Sequence, residues 1–122
     1  MFDKRVVITG FGVLSPIGND PATAWKNAVD GKSGIGRLSV IDPEPFTSQV
    51  AGEVKDFDAE DYLDRKEVRR NDRYTQFAMV AGRKAWAHSG LTDTNMDPER
   101  VGVIIGSGVG GLKTYEEQHT IA

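Results

Sequence analysis

The chain has 122 residues, of which 39% are hydrophobic and 27% charged, and its formal net charge is -3. This composition is typical of one soluble globular domain and argues against a disordered or a membrane-embedded chain. An acidic balance gives no general attraction for nucleic acid, and the lack of any cysteine excludes a disulfide framework and a zinc ribbon.

A β-branched run predicts the first strand. Residues 5–9 lead directly into Gly10-Phe11-Gly12, which is typical of a buried strand that enters a glycine turn. The apolar run is too short for a signal-peptide core or a membrane span. We therefore expect a cytoplasmic protein.

The first helix is predicted to begin at Asn19-Asp20-Pro21, because a capping side chain precedes proline at the first helical position. It should run to Gly31 and place Trp25 in the core. Glycine and proline interrupt residues 32–48, which predicts an ordered surface excursion. A short edge strand is expected within residues 49–54.

The longest helix is predicted to end near Ser89-Gly90, to carry an apolar stripe along one face, and to place two aromatic residues in the core. The stripe consists of Tyr74, Phe77, Ala78 and Ala81, and the aromatic residues are Phe77 and Trp86. Residues 101–105 show no polar alternation, as in a strand covered on both faces. Residues 112–122 form the last predicted helix.

This order of elements predicts a layered α/β domain with parallel central strands and flanking helices, since parallel neighbours need a crossover between them. The last helical pattern breaks off at Ala122 without a glycine or proline stop signal. A natural domain rarely ends inside such a pattern, so we expect residues 1–122 to be part of a longer domain.

The glycine-rich segment 106–111 fits the G-x-G-x-x-G pattern between a predicted strand and a predicted helix. One interpretation is a dinucleotide-binding turn, whose backbone amides would hold pyrophosphate. The other is close backbone packing beside a pocket, which we favour because the acidic ribose partner would fall beyond the last residue. Ser107 lacks the spacing of a hydrolase nucleophile elbow.

Residues 64–73 hold five basic and three acidic side chains, a local charge of +2. Lys66, Arg69, Arg70 and Arg73 would share one face of a helix. Such a cluster could orient an anionic partner or form a solvated face, and the spacing alone favours the solvated face. His88 and His119 have no clustered second ligand, so we expect neither a metal nor a catalytic role for them.

Several segments, in this order, resemble the β-ketoacyl-acyl-carrier-protein synthases of type II fatty-acid synthesis, and most closely the synthase II branch. They are residues 5–12 (RVVITGFG), 15–18 (SPIG), 25–26 (WK), 31–35 (GKSGI), 51–52 (AG), 54–57 (VKDF), 65–67 (RKE) and 105–112 (IGSGVGGL). Together they cover essentially the whole chain, which makes coincidence improbable.

The resemblance implies a thiolase-like layered fold, of which residues 1–122 would form an incomplete first half within a homodimer. The family condenses an acyl thioester with malonyl-acyl carrier protein through a cysteine and two histidines that lie in later sequence. We therefore expect no catalytic residue, metal or cofactor in this chain, and no activity from it alone.

The resemblance also implies two sites. Arg65, Lys66, Arg69 and Arg70 correspond to the surface that docks the acidic carrier protein, so docking becomes the favoured interpretation of these charges. Gly108, Val109 and Gly110 correspond to a gate of the acyl pocket, where valine replaces the commoner isoleucine. The alternatives are a stand-alone carrier-protein docking module and a nucleotide-binding domain. Acyl-chain length preference stays open.

Overall fold

The computed structural model describes residues 4–121, which fall into two compact units. One unit is Gly12–Phe57, and the other joins residues 4–11 to residues 58–121. Met1 to Asp3, which precede the first predicted strand, and Ala122, the end of the last predicted helix, lie outside the described residues.

The smaller unit contains the first predicted helix, α1, over Pro21–Val29. The Asp20 carboxylate accepts the Thr23 N–H at 2.9 Å, and Pro21 occupies the first helical position. The helix ends at Val29, Asp30 is its C-cap, and Gly31 follows with a φ of +66°. The predicted capping therefore is confirmed.

A two-stranded antiparallel sheet follows, formed by β1 (Ile35–Arg37) and β2 (Val50–Gly52), with Ile35 opposite Gly52. The edge strand expected within residues 49–54 is confirmed in its central part. Strand β1 was not predicted, because it lies in the glycine- and proline-rich excursion. Gly34 permits close packing there, since a Cβ at that position would lie 2.6 Å from the Cβ of Pro16.

The larger unit is helical. After a 3₁₀ turn at Ala59–Asp61 come α2 (Arg65–Arg70), α3 (Arg73–Ser89), a second 3₁₀ turn at Pro98–Arg100, and α4 (Leu112–Ile121). Gly90 is the C-cap of α3, and its φ of +70° is the left-handed conformation that glycine adopts without strain. Within residues 4–121, no helix is both long and apolar enough to cross a bilayer.

The core of this unit is small and consists of Ala59, Leu63 and Val80, with Gln76 also buried. The buried positions of α3 are Gln76 and Val80, one helical turn apart, and α3 packs on the turn at Ala59–Asp61. Of the predicted stripe, Phe77, Ala78 and Ala81 are half-buried, whereas Tyr74 is 39% exposed.

Two predicted strands are corrected. Residues 5–9 and 101–105 form no strand, and Val6 and Ile104 are 94% and 96% exposed. A strand exists only when a neighbour completes its hydrogen bonds, and the only sheet among residues 4–121 is the antiparallel β1–β2 pair. The expected parallel central strands are thus not found within the described residues.

The expected burial of two tryptophans is also wrong within the described residues. Trp25 is 72% exposed and Trp86 is 39% exposed. Each projects from a helix that has few elements packed against it in its own unit, so high hydrophobicity alone does not bury the ring.

Candidate functional site

Helix α2 carries the predicted docking residues Arg65, Lys66, Arg69 and Arg70, called the basic cluster below. All four are exposed. The Asp64 carboxylate accepts the N–H groups of Lys66 and Glu67 at 2.8 Å, and the Glu67 carboxylate accepts the Asp64 N–H at 3.2 Å. This reciprocal capping box fixes where the helix begins.

Arg73 does not share the face of the basic cluster, which corrects the prediction from its spacing. Helix α2 ends at Arg70, and Asn71 is extended with φ -120° and ψ 134°. The side-chain amide of Asn71 donates to the Glu67 carbonyl at 2.8 Å, which satisfies a terminal carbonyl of α2. Arg73 begins α3, where its guanidinium lies 4.9 Å from the centre of the Phe77 ring.

Two carboxylates near α2 are held in ion pairs, and these pairs leave three of the four cations of the basic cluster uncompensated. Glu67 pairs with Arg83 of α3 at 2.9 Å, and Arg65 pairs with Glu60 at 3.3 Å. Among residues 4–121, no carboxylate forms an ion pair with the remaining cations, Lys66, Arg69 and Arg70. The positive charge of this face is therefore available to a partner.

Arg83 holds the first turn of α2 against α3. Its guanidinium donates to both carboxylate oxygens of Glu67, at 2.9 and 3.2 Å, and to the Tyr62 carbonyl at 2.8 Å. One terminal nitrogen of Arg83 binds Glu67 and the other binds the Tyr62 carbonyl, so two separate acceptors fix the orientation of the guanidinium. The basic cluster thus stands on a helix whose start is held by a second helix.

Gln76 holds the other end of α2. Its side chain is buried, and its amide nitrogen donates to the carbonyls of Val68 and Asn71, at 3.0 and 2.8 Å. These bonds satisfy carbonyl groups that the end of a helix leaves without intrahelical partners. A short helix is otherwise marginal in water, so this anchoring preserves the geometry of the basic cluster.

Neither Gln76 nor Arg83 was predicted as a supporting residue. A signal for Gln76 exists, since a polar side chain inside the otherwise apolar run of α3 needs a buried hydrogen-bond partner. Arg83 gives no such signal, because its partner Glu67 lies 16 residues earlier in the chain.

The predicted gate, Gly108, Val109 and Gly110, lies in the turn before α4. Val109 is 76% exposed, and Gly110 has a φ of +77°. The Gly110 N–H donates to the Ser107 hydroxyl at 3.0 Å, so Ser107 has a structural role within the turn. A Cβ at Gly108 would meet nothing within 4 Å. The close backbone packing favoured from the sequence is therefore absent at Gly108.

Close packing does occur at Gly111, against Asp72. A Cβ at Gly111 would overlap the Asp72 carboxylate, and the Thr114 hydroxyl donates to the same carboxylate. A carboxylate thus lies beside the first turn of α4, where the helix dipole favours negative charge. Pyrophosphate in a dinucleotide-binding turn would have to occupy this place, so Asp72 opposes the nucleotide interpretation.

The basic cluster and the predicted gate do not touch directly. No hydrogen bond or ion pair described for residues 4–121 joins the four cations to Gly108, Val109 or Gly110. Asp72 reaches the first turn of α4 from the two-residue link between α2 and α3. The two predicted sites are therefore connected through this link.

The histidines lie apart and have separate contacts. His88 accepts the Phe11 N–H at its Nδ1 atom, at 3.2 Å, and the two rings meet edge to face. His119 stacks on Tyr115 in α4. The described residues contain no group of three or more potential metal ligands among His, Cys, Asp and Glu.

Comparison with known proteins identifies relatives over nearly the whole chain. Residues 3–121 match the family model described as "Beta-ketoacyl synthase, N-terminal domain". The chain is 51% identical over 117 residues to 3-oxoacyl-[acyl-carrier-protein] synthase 2 of Staphylococcus aureus strain N315, which covers 96% of this chain and 28% of that protein. The synthase of the same name from Synechocystis sp. is 43% identical, over 97% of this chain and 28% of that protein.

A solved structure gives the same result. The ishigamide ketosynthase/chain length factor superposes with a TM-score of 0.80 and 28% identity, over 94% of this chain and 29% of that chain. The resemblance inferred from the sequence is confirmed, and so is the thiolase-like ketosynthase fold in outline. The arrangement of the central strands is not confirmed. The chain spans less than a third of the length of these relatives.

Proposed function

The chain belongs to the β-ketoacyl synthase family, through its N-terminal domain, and we propose that the whole protein is a 3-oxoacyl-[acyl-carrier-protein] synthase of fatty-acid elongation. The observation that carries this proposal is the 51% identity to a synthase of that name over 96% of the chain. The reaction is a decarboxylative Claisen condensation. Malonyl-acyl carrier protein loses carbon dioxide, and the resulting carbanion attacks an acyl thioester to give a 3-oxoacyl thioester.

In this proposal residues 1–122 are the N-terminal part of a ketosynthase domain that works as a cytoplasmic homodimer. The acyl group is held by a cysteine thiolate, which serves as both nucleophile and leaving group. The chain has no cysteine, so the nucleophile and its two assisting histidines belong to the remaining sequence. The chain alone is therefore inactive.

The role that we assign to the basic cluster is docking of the acidic acyl carrier protein. Its charges are exposed, and no carboxylate of the described residues pairs with Lys66, Arg69 or Arg70, which supports this role. Charges of one sign on a fixed helix guide an oppositely charged partner and orient it. The same observation favours a second candidate, in which the chain acts as a docking module without catalysis.

The role that we assign to Gly108, Val109 and Gly110 is gating of the acyl pocket. Support comes from the exposed Val109 side chain and from the open space beside Gly108. Glycine neighbours allow the backbone to change conformation around a side chain that closes a pocket. A nucleotide-binding role is not favoured, because of the carboxylate of Asp72 beside α4.

Product analysis with the whole protein tests the proposed reaction. The purified protein is incubated with acyl- and malonyl-acyl carrier protein, and the carrier-bound products are examined by mass spectrometry. We expect a 3-oxoacyl product and release of carbon dioxide, with neither from residues 1–122 alone. A whole protein that binds the carrier protein but forms no product would overturn the enzyme proposal in favour of the docking module.

A further inference from the structure

Asp72 occupies the N-cap position of α3 but does not cap that helix. Its backbone is extended, as an N-cap requires, yet its carboxylate accepts no hydrogen bond from the first turn of α3. Aspartate is among the favoured N-cap residues because its oxygen normally binds such an N–H. The carboxylate is used elsewhere in the structure.

That carboxylate contacts α4. The Thr114 hydroxyl in the first turn of α4 donates to Asp72, and the acid lies so close to Gly111 that a Cβ there would displace the carboxylate. The Tyr115 N–H in turn donates to the Gly111 carbonyl at 3.0 Å. The start of α4 is therefore fixed against the link between α2 and α3.

The aromatic ring of Tyr74 provides a second contact from the same end of α3. A Cβ at Gly110 would lie 4.0 Å from its outermost ring carbon. Gly110 is the residue of the turn with positive φ, so both Asp72 and Tyr74 approach the segment directly after Val109. Both contacts therefore lie at the junction between the turn and α4.

We propose that Asp72 is a positioning residue, which with Thr114 holds the predicted gate at Val109 in a fixed relation to the carrier-docking helix. This inference rests on the proposed function, because it requires an acyl pocket behind the gate. The link acts on the last residues of the glycine turn and leaves the basic cluster itself unchanged. Removing it should alter the selection of acyl chains and leave carrier-protein binding intact.

The test compares Thr114→Val, Thr114→Ser and Asp72→Asn in the whole synthase. Thr120→Val is the matched control, because Thr120 also lies in α4 but its hydroxyl donates to the backbone carbonyl of Glu116 within the same helix. For each variant, kcat/KM is measured with hexanoyl- and tetradecanoyl-acyl carrier protein, and the ratio of the two values gives the selectivity. Carrier-protein affinity and melting temperature are measured in parallel.

We expect Thr114→Val to change the selectivity ratio by at least about threefold. Thr114→Ser, which keeps the hydroxyl, should retain the original ratio. Asp72→Asn should act in the same direction, and combining it with Thr114→Val should add little, because both break one link. Carrier-protein affinity should stay unchanged throughout.

The positioning role is overturned if Thr114→Val has the same selectivity ratio as Thr120→Val, even if its melting temperature falls. It is also overturned if the selectivity change is accompanied by an equal loss of carrier-protein affinity, since the link would then act on docking. A wild-type protein that forms no 3-oxoacyl product would instead overturn the proposed function. The two failures are thus distinguishable.

Discussion

Arg83 of α3 donates hydrogen bonds to both carboxylate oxygens of Glu67 on α2, and a further one to the Tyr62 carbonyl before that helix. One side chain thereby fixes the start of the helix that carries the basic cluster. The side chains of the pair are 52% and 30% exposed. Solvent screening therefore reduces the contribution of this ion pair to stability, although its hydrogen bonds still orient the two helices.

Arg83→Met should lower the free energy of unfolding of the whole protein by about 1 kcal/mol, because Glu67 and the Tyr62 carbonyl lose their donor. Chemical denaturation measures this change. The matched control is Arg37→Met, which breaks the more exposed Arg37–Glu44 pair and should cost less. Equal losses for the two variants would contradict a special role for Arg83.

Gln76→Leu should destabilise the protein by about 1–3 kcal/mol, since it leaves the Val68 and Asn71 carbonyls without their donor. The substitution should accelerate amide hydrogen exchange in α2 more than it does in α4. Gln118→Leu, on the exposed surface of α4, is the control and should change neither quantity appreciably. Unchanged exchange in α2 would show that Gln76 does not anchor it.

The helix ends could be predicted from the sequence because their signals are local. Asp20 and Pro21 mark the start of α1, and Gly90 marks the end of α3. The break after Arg70 was missed, because Asn71 and Asp72 interrupt the helix through a side-chain cap and extended backbone that spacing does not reveal.

The two predicted strands and the support of the candidate site depend on distant partners. Residues 5–9 and 101–105 have the composition of strands, but composition does not supply the neighbour that a strand must pair with. The locations of the basic cluster and of the glycine turn could be predicted. The connection through Asp72 and Thr114 could not, since these residues lie 42 positions apart in the chain.

The pKa of Glu53 provides a pH-dependent prediction for the smaller unit. The Ser39 hydroxyl and the N–H groups of Ser39 and Val40 donate to its carboxylate and lower its pKa below the usual value of 4.5. A lowered folded-state pKa stabilises the fold above the unfolded value, and this contribution is lost as the pH falls through the folded value.

A carboxyl-detected NMR titration should therefore give Glu53 a midpoint below 4.5. Ser39→Ala removes the strongest of these donors and should move the midpoint upward. Glu53→Gln should remove the loss of stability that protonation of Glu53 causes as the pH falls below 4.5. A midpoint that is the same in the parent protein and in Ser39→Ala would show that the hydroxyl does not hold the carboxylate.

The proposed gate predicts that Val109→Ile alters acyl-chain preference moderately in the whole protein. One methylene in an apolar pocket changes discrimination by about 1–3 kcal/mol, and the larger side chain should disfavour long acyl chains. Steady-state kinetics with acyl-carrier proteins of increasing length measure the effect. Val40→Ile adds the same methylene at another exposed valine and should leave the length profile unchanged. A length profile of Val109→Ile that matches the profile of Val40→Ile would contradict the proposal that Val109 gates the acyl pocket.

The most direct test of the account measures kcat/KM for malonyl-acyl carrier protein in the whole protein and in its Lys66→Glu and Arg70→Glu variants. Arg100→Glu makes the same charge change on an exposed residue outside the basic cluster. At low salt we predict a loss of about tenfold for the two cluster variants. We predict little change for Arg100→Glu, and none for any variant with a carrier-free malonyl thioester. Equal losses at all three positions, or an equal loss with the carrier-free substrate, would contradict docking at α2.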